Sequence, residues 1–480
     1  MSTTTSVTQQ ASPATSAPGA RPEGRDASGR YGGLDGLRAI AVGLVLVYHL
    51  FPEALPGGFL GVDVFFVISG FLITSLLLRE WQRAGRIDLV AFWRRRARRL
   101  LPALGLVVLV CTSLALVVAW RGGGDILVGI GAQILGALLF VSNWVFIALG
   151  GDYFTRDNPE LYRNTWSLSI EEQFYLVLPL LLILILRARS RPTRSMLFVI
   201  LAVASAALMV AYAAQGEPPT RIYFGSDTHV FGLFAGVSLA VLLQPVDGRP
   251  RSSRALGATA QLGLVAAAGL GLAVLIRLGF TLPEASPESF AGGFQLASAA
   301  ALLVVWAVTR TGSWIGRALD AQPLRWVGER SYGIYLWHWP LLLLVPALLS
   351  PGTPTGSRIP LPVAALILAL TVACAALSYR FGSACAGPWG SSCARASRAG
   401  RVARSRRCSR WCWRSPSPRP WSPWRRHPRR AAPPRRSRGA RRPCATRTST
   451  RCSGQWPRRG STRCATRWTV PWGGRPHRPP

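Results

Sequence analysis

The chain has 480 residues, 49% of them hydrophobic and only 16% charged, with a mean hydropathy of +0.25. Long Leu/Val/Ala runs at that composition exclude a soluble domain of this size and indicate a polytopic membrane protein. The net charge of +36 suggests a nucleic-acid binder until it is divided along the chain: 26 Arg and no acidic residue lie from Ala384 onward, which leaves +10 for residues 1–383.

Residues 1–30 are polar and rich in Ser, Thr, Ala and Pro, without the basic start and short apolar core of a cleaved signal peptide, and read as a disordered cytoplasmic leader. Apolar segments long enough to span a bilayer follow at about 34–51, 58–78, 100–120, 126–149, 166–186, 195–214, 227–244, 256–278, 291–309, 332–350 and 360–378. Arg-rich connections at 79–99, 187–194, 248–254 and 310–330 belong in the cytoplasm by the positive-inside rule. Three apolar segments lie between the first two connections, and an odd number of crossings cannot return the chain to one side. Either one of the three is re-entrant or the second connection is misassigned. The first option is preferred, because a non-spanning segment is permitted where it avoids lipid. The expected fold is therefore all-α, with about ten transmembrane helices and both ends inside.

Within the first segment, LDGLRAIAVGLVLVYH, Arg38 and His49 stand eleven residues apart and so return to within about 20° on one helix face, roughly 16 Å apart along the axis. Asp35 falls on the same side. An intramembrane Arg costs on the order of 3 kcal/mol, so this stripe should face protein or a wet cavity. The separation suits a long ligand with a charged head and a reactive tip.

The connection WQRAGRIDLVAFWRRRARRL is a stop signal and lipid anchor at least, and its Arg cluster can also capture phosphates. Asp63 lies in GVDVFFVISGFL, whose small residues allow close helix approach, and Glu171 and Glu172 are adjacent in TWSLSIEEQFYLVLP. Adjacent carboxylates point about 100° apart, so the two face different surroundings. Arg221, Asp227 and His229 lie in RIYFGSDTHVFGLFAG. Ser331, Tyr335 and His338 share one face of ERSYGIYLWHWPL.

Five of these strings, LDGLRAIAVGLVLVYH, GVDVFFVISGFL, TWSLSIEEQFYLVLP, RIYFGSDTHVFGLFAG and ERSYGIYLWHWPL, in this order between about Tyr31 and Phe381, resemble the acyltransferase-3 family of integral membrane acyltransferases. The resemblance implies an O-acyltransferase in the cell membrane that takes acyl-coenzyme A from the cytoplasm and passes the acyl group, acetyl above all, to a hydroxyl of an envelope or exported carbohydrate. No metal or permanently bound cofactor is expected. In that reading His49 is the general base, or the carrier of an acyl-His intermediate, with Asp35 or Glu171 orienting its ring. Arg38, Arg95 and Arg98 hold the coenzyme's phosphates, while Asp63, Glu172, Arg221, Asp227, Tyr335 and His338 contact substrate. The alternative is a non-enzymatic transporter or flippase of an envelope precursor, in which the same polar residues form a path.

The domain expected at 31–381 ends in LSYRF, and the family's acidic, Pro and basic continuation is missing. Residues 382–480 contain Arg, Pro, Ala, Ser, Trp, Cys and Gly with no Leu, Ile or Met and no hydrophobic period. The absence of Lys throughout marks a GC-rich coding sequence, and such a tail is what an out-of-frame reading of GC-rich codons produces. A frameshift is preferred to a nucleic-acid-binding tail, for which only phosphate contacts and eight Trp would speak. The seven tail Cys lack metal-ligand spacing, and the two upstream, Cys111 and Cys374, sit in apolar segments, so no disulfide framework is implied.

Overall fold

The computed structural model describes residues 31–150, 160–186, 190–243, 256–350 and 358–380. The leader, the tail from 382 and the frameshift reading lie outside the described residues. The described residues are helical, with no strand. In chain order the helices are α1 Leu34–Leu50, α2 Gly61–Ala84, α3 Leu89–Trp120, α4 Ile130–Leu138, α5 Ser142–Ala148, α6 Thr165–Leu186, α7 Arg191–Ala214, α8 Pro219–Phe224, α9 Ser226–His229, α10 Phe231–Leu243, α11 Ala258–Thr281, α12 Phe294–Val308, α13 Trp314–Leu319 and α14 Leu324–Leu349. The last, α15, spans Leu361–Arg380.

Among the described residues nine helical stretches are long and apolar enough to cross a membrane. At 1.5 Å per residue the 17 residues of α1 reach about 25 Å, and make a tenth. The segment at 126–149 is the exception. It folds as α4 and α5, of nine and seven residues, too short to cross. Phe140 turns the chain between them at φ 55, a left-handed conformation that a bulky residue rarely adopts. Leu139 and Val141 of the turn are exposed, but its polar groups are met by protein rather than left to lipid. Gln173 Nε2 donates to the Phe140 carbonyl at 2.9 Å and to Asn143 Oδ1 at 2.9 Å, and Ser169 Oγ accepts the Ser142 N–H at 3.1 Å. Non-spanning backbone at membrane depth is tolerated on those terms.

The Arg-rich connection expected at 79–99 is mostly helix. α2 runs on to Ala84 and stops at Gly85, at φ 66. α3 restarts at Leu89, where the Asp88 carboxylate accepts the Ala91 N–H at 2.9 Å and caps it. Arginine is a good helix former, so helical structure continues where hydropathy does not.

α2 is the centre of the molecule: 83% of its apolar window is buried, against 17% for α7 and 28% for α11 and α15, whose outer Leu, Val and Ile residues are left for lipid. α1, α10 and α12 pack on α2, and α14 packs on α1 and α3. The closest approach uses paired small residues, since a Cβ on Gly70 would run into the Leu233 backbone and one on Gly236 into that of Val67. The start of α1 is clasped likewise: Gly36 lies on the Leu319 carbonyl and Gly328 of α14 on that of Asp35. Asp320, in the turn after α13, meets the N–H groups of Gly33 and Gly36 there; burial pushes its carboxyl up, and those N–H groups pull it back.

Candidate functional site

At the end of the bundle that carries the Arg-rich connections, α1, α2, α3, α6 and α14 enclose a cavity of about 350 Å³. Four guanidinium groups line it, those of Arg38, Arg79, Arg96 and Arg99, together with the carboxylates of Asp35, Glu171 and Glu172. Arg96 is committed to the carboxylates. It lies 2.7 Å from Glu172 and 3.7 Å from Glu171, and its guanidinium stacks 3.8 Å from the centre of the Tyr175 ring. Ser69 Oγ donates to Glu171 at 3.0 Å. Arg38 is held more loosely, 4.0 Å from Asp35.

His49 is at the other end of α1, in a separate pocket of only about 10 Å³ bounded by Val45, Phe59, Val62, Arg163, Asn164, Trp166, Tyr335 and Trp339. Aromatic edges fix the imidazole: the ring centres of Tyr48, Trp339 and His338 lie 4.8, 4.9 and 5.2 Å away. Arg163, its side chain 4% exposed, pairs with Glu160 at 2.6 Å and lies 5.5 Å over Trp339.

Cavity and pocket share no lining residue. Between them Tyr335 closes against α6. Its hydroxyl lies 2.7 Å from Ser167 Oγ and donates to the Asn164 carbonyl at 3.0 Å, while Asn164 Nδ2 donates back to the Tyr335 carbonyl at 2.8 Å.

Several expectations need correction. Asp35 and Glu171 do not orient His49. Asp35 is fourteen residues away along α1, about 21 Å, and Glu171 is held in the basic cavity by Arg96 and Ser69. Arg95 and Arg98 stand outside the cavity, and Arg95 is spent on Glu80 at 2.9 Å with its side chain 58% exposed. Each step along α3 turns about 100°, and it is Arg96 and Arg99 that face inward. Glu172 faces Arg96 in the cavity. Asp63 is wholly buried and lines neither space; its Oδ1 meets His229 Nε2 at 3.1 Å, and His229 Nδ1 donates to the Tyr223 carbonyl at 2.7 Å. Arg221 and Asp227 form a bidentate pair at the far end of the bundle, 3.0 and 2.7 Å, away from both spaces. Tyr335 forms the wall just described, and His338 is buried behind His49.

Arg96 and Arg99 belong to the Arg cluster that the sequence marks for phosphate capture, although Arg95 and Arg98 are the two it singles out; Arg79 and Ser69 of the cavity, and Arg163, Asn164, Trp166 and Trp339 of the pocket, are not among its candidates. Trp339 adjoins His338 and Arg163 precedes the TWSLSIEEQFY string, so both were flanking signals within view of the motifs.

Residues 31–380 match the family described as acyltransferase domain. O-acetyltransferase OatA of Staphylococcus aureus, in strains NCTC 8325 / PS 47, COL and MRSA252, is 36% identical over 350 residues, 73% of this chain and 56% of the relative. The chain thus spans little more than half the length of these relatives. No solved structure matches.

Proposed function

The chain belongs to the acyltransferase domain family, and on that premise we propose that it transfers an acetyl group from acetyl-coenzyme A, bound from the cytoplasm, to a hydroxyl of an envelope carbohydrate on the opposite side of the cell membrane. One observation carries the reading: a single helix, α1, holds Arg38 in a guanidinium-lined cavity at its Arg-rich end and His49 in a tight aromatic pocket at the other. By the positive-inside rule the cavity opens to the cytoplasm. Arg38, Arg79 and Arg99 then receive the coenzyme's phosphates, with Arg96 kept for Glu171 and Glu172. A pantetheine arm running along α1 covers the roughly 16 Å to His49, provided Tyr335 swings from Ser167.

At the thioester His49 takes the proton of the acceptor hydroxyl. The hydroxyl oxygen bonds to the acyl carbon, the carbon–sulfur bond breaks, and the proton passes to the departing thiolate. A hydroxyl acceptor and an acetyl donor accord with the printed name of the relatives, O-acetyltransferase. The test is transfer of labelled acetyl from acetyl-coenzyme A to envelope carbohydrate in membranes containing the protein. Transfer that depends on His49 and Arg38 supports the reading. Membranes that consume no acetyl-coenzyme A with any envelope fraction would overturn it in favour of a transporter.

A further inference from the structure

Asp35 and Glu171 are both held in the basic cavity and do not orient His49, and a catalytic imidazole works best beside a group that fixes its tautomer and shares the charge it acquires. The group beside it is another imidazole. His338 of α14 is 2% exposed, and its ring centre lies 5.2 Å from that of His49 with the planes 33° apart. A ring nitrogen is only about 1 Å from its ring centre, so a turn of either ring about its Cβ–Cγ bond brings one nitrogen of each to roughly 3 Å, an ordinary hydrogen-bond length.

The tautomer of His338 follows from its own bond. Nδ1 lies 2.6 Å from the Tyr335 carbonyl, and a carbonyl only accepts, so Nδ1 carries the hydrogen. In the neutral ring Nε2 then bears a lone pair. That Nε2 is buried and has no hydrogen-bond partner in the structure. A lone pair so placed needs a donor, because a buried polar atom without one is costly.

We propose that His338 is a positioning residue for His49: its Nε2 accepts an N–H of His49, so that the other nitrogen of His49 presents its lone pair to the pocket bounded by Arg163, Asn164, Trp166 and Trp339. This deepens the proposed function and rests on His49 being the base. When His49 takes the acceptor's proton, the N–H facing His338 strengthens its bond to Nε2, and the Tyr335 carbonyl, bonded to Nδ1–H, holds the second ring in place. The proton itself leaves from the pocket-side nitrogen of His49 to the thiolate, so His338 returns to its starting state without being consumed.

Two amides separate this role from packing. Asn places an amide where Nδ1 was and can still donate to the Tyr335 carbonyl, but it leaves no acceptor at the position of Nε2. Gln reaches that position with a carbonyl oxygen. In membranes matched for protein, His338→Asn should lower kcat about 100- to 1,000-fold with the KM for acetyl-coenzyme A within threefold, and His338→Gln should keep at least ten times the kcat of His338→Asn. Equal losses in the two variants, or wild-type kcat in His338→Asn, would overturn the proposal while leaving the acyltransferase reading intact; a wild-type protein that consumes no acetyl-coenzyme A would overturn both. A measurement on the unmodified protein is independent of how the variants fold. Nitrogen-15 spectra of histidine-labelled protein should show His338 with its hydrogen on Nδ1, and a hydrogen on Nε2 overturns the assignment.

Discussion

Replacing His49 with Ala removes, among the described residues, the only imidazole that lines the far pocket and leaves every guanidinium of the basic cavity in place. Acetyl transfer should fall about 100- to 10,000-fold while coenzyme A still binds, as measured by transfer and by equilibrium binding in the same membranes. Arg38→Ala should do the reverse first, weakening coenzyme binding, and Arg38→Lys should recover part of it, since a point charge replaces a planar fork. A second comparison sits on α3. Arg96→Ala strands two partly buried carboxylates and should cost roughly 1–3 kcal/mol, whereas Arg95→Ala should change stability by less than about 0.5 kcal/mol. Melting in detergent would read both. At this scale the sequence exposes which residue types are out of place in an apolar helix, because Arg38, Asp63, Glu171 and His338 are conspicuous there. It does not expose rotation about a helix axis or partner choice. Arg95 and Arg96 are neighbours in the string and face different surroundings, and Glu171 meets Arg96 only because α3 and α6 pack, which no local pattern encodes.

The α4–α5 hairpin is held by few bonds, and Gln173 supplies two of them. Gln173→Leu should release the turn at Phe140 and make a cysteine placed at Leu139 react faster with a water-soluble thiol reagent; an unchanged rate would mean that the Ser142–Ser169 and Asn143–Phe224 bonds suffice. Gly70→Ala and Gly236→Ala should each lower the melting temperature, because the added methyl meets backbone on the facing helix and the two helices have to separate. The helices themselves were legible from hydropathy, and charge parity indicated a re-entrant piece among three segments. The ends were less so: α3 begins eleven residues before its apolar segment, and α14 eight, since helix propensity and capping operate where hydrophobicity has stopped.

Ten crossings return the chain to the side from which it started, so reporter fusions at Arg30 and Ser383 should both give cytoplasmic signals; opposite signals would mean an odd number of spans. A chain ended after Arg380 should insert and accumulate as the full one does, because the sequence from 382 onward holds no Leu, Ile or Met and no hydrophobic period. Loss of the membrane domain in that truncation would refute the frameshift reading of the tail.

The wall at Tyr335 matters beyond the reaction. A donor taken from one aqueous compartment and an acceptor met in the other call for a passage through the bilayer, and a passage left open would short-circuit the membrane potential on which the cell depends. The Tyr335 hydroxyl is seated between Ser167 and Asn164, and the expectation is that this wall keeps the resting protein electrically tight. In the proposed mechanism the donor's own arm, once threaded through, would become the plug. A planar bilayer containing the purified protein should therefore carry no ionic current with or without acetyl-coenzyme A, and only a variant that thins this wall, such as Tyr335→Ala, should conduct.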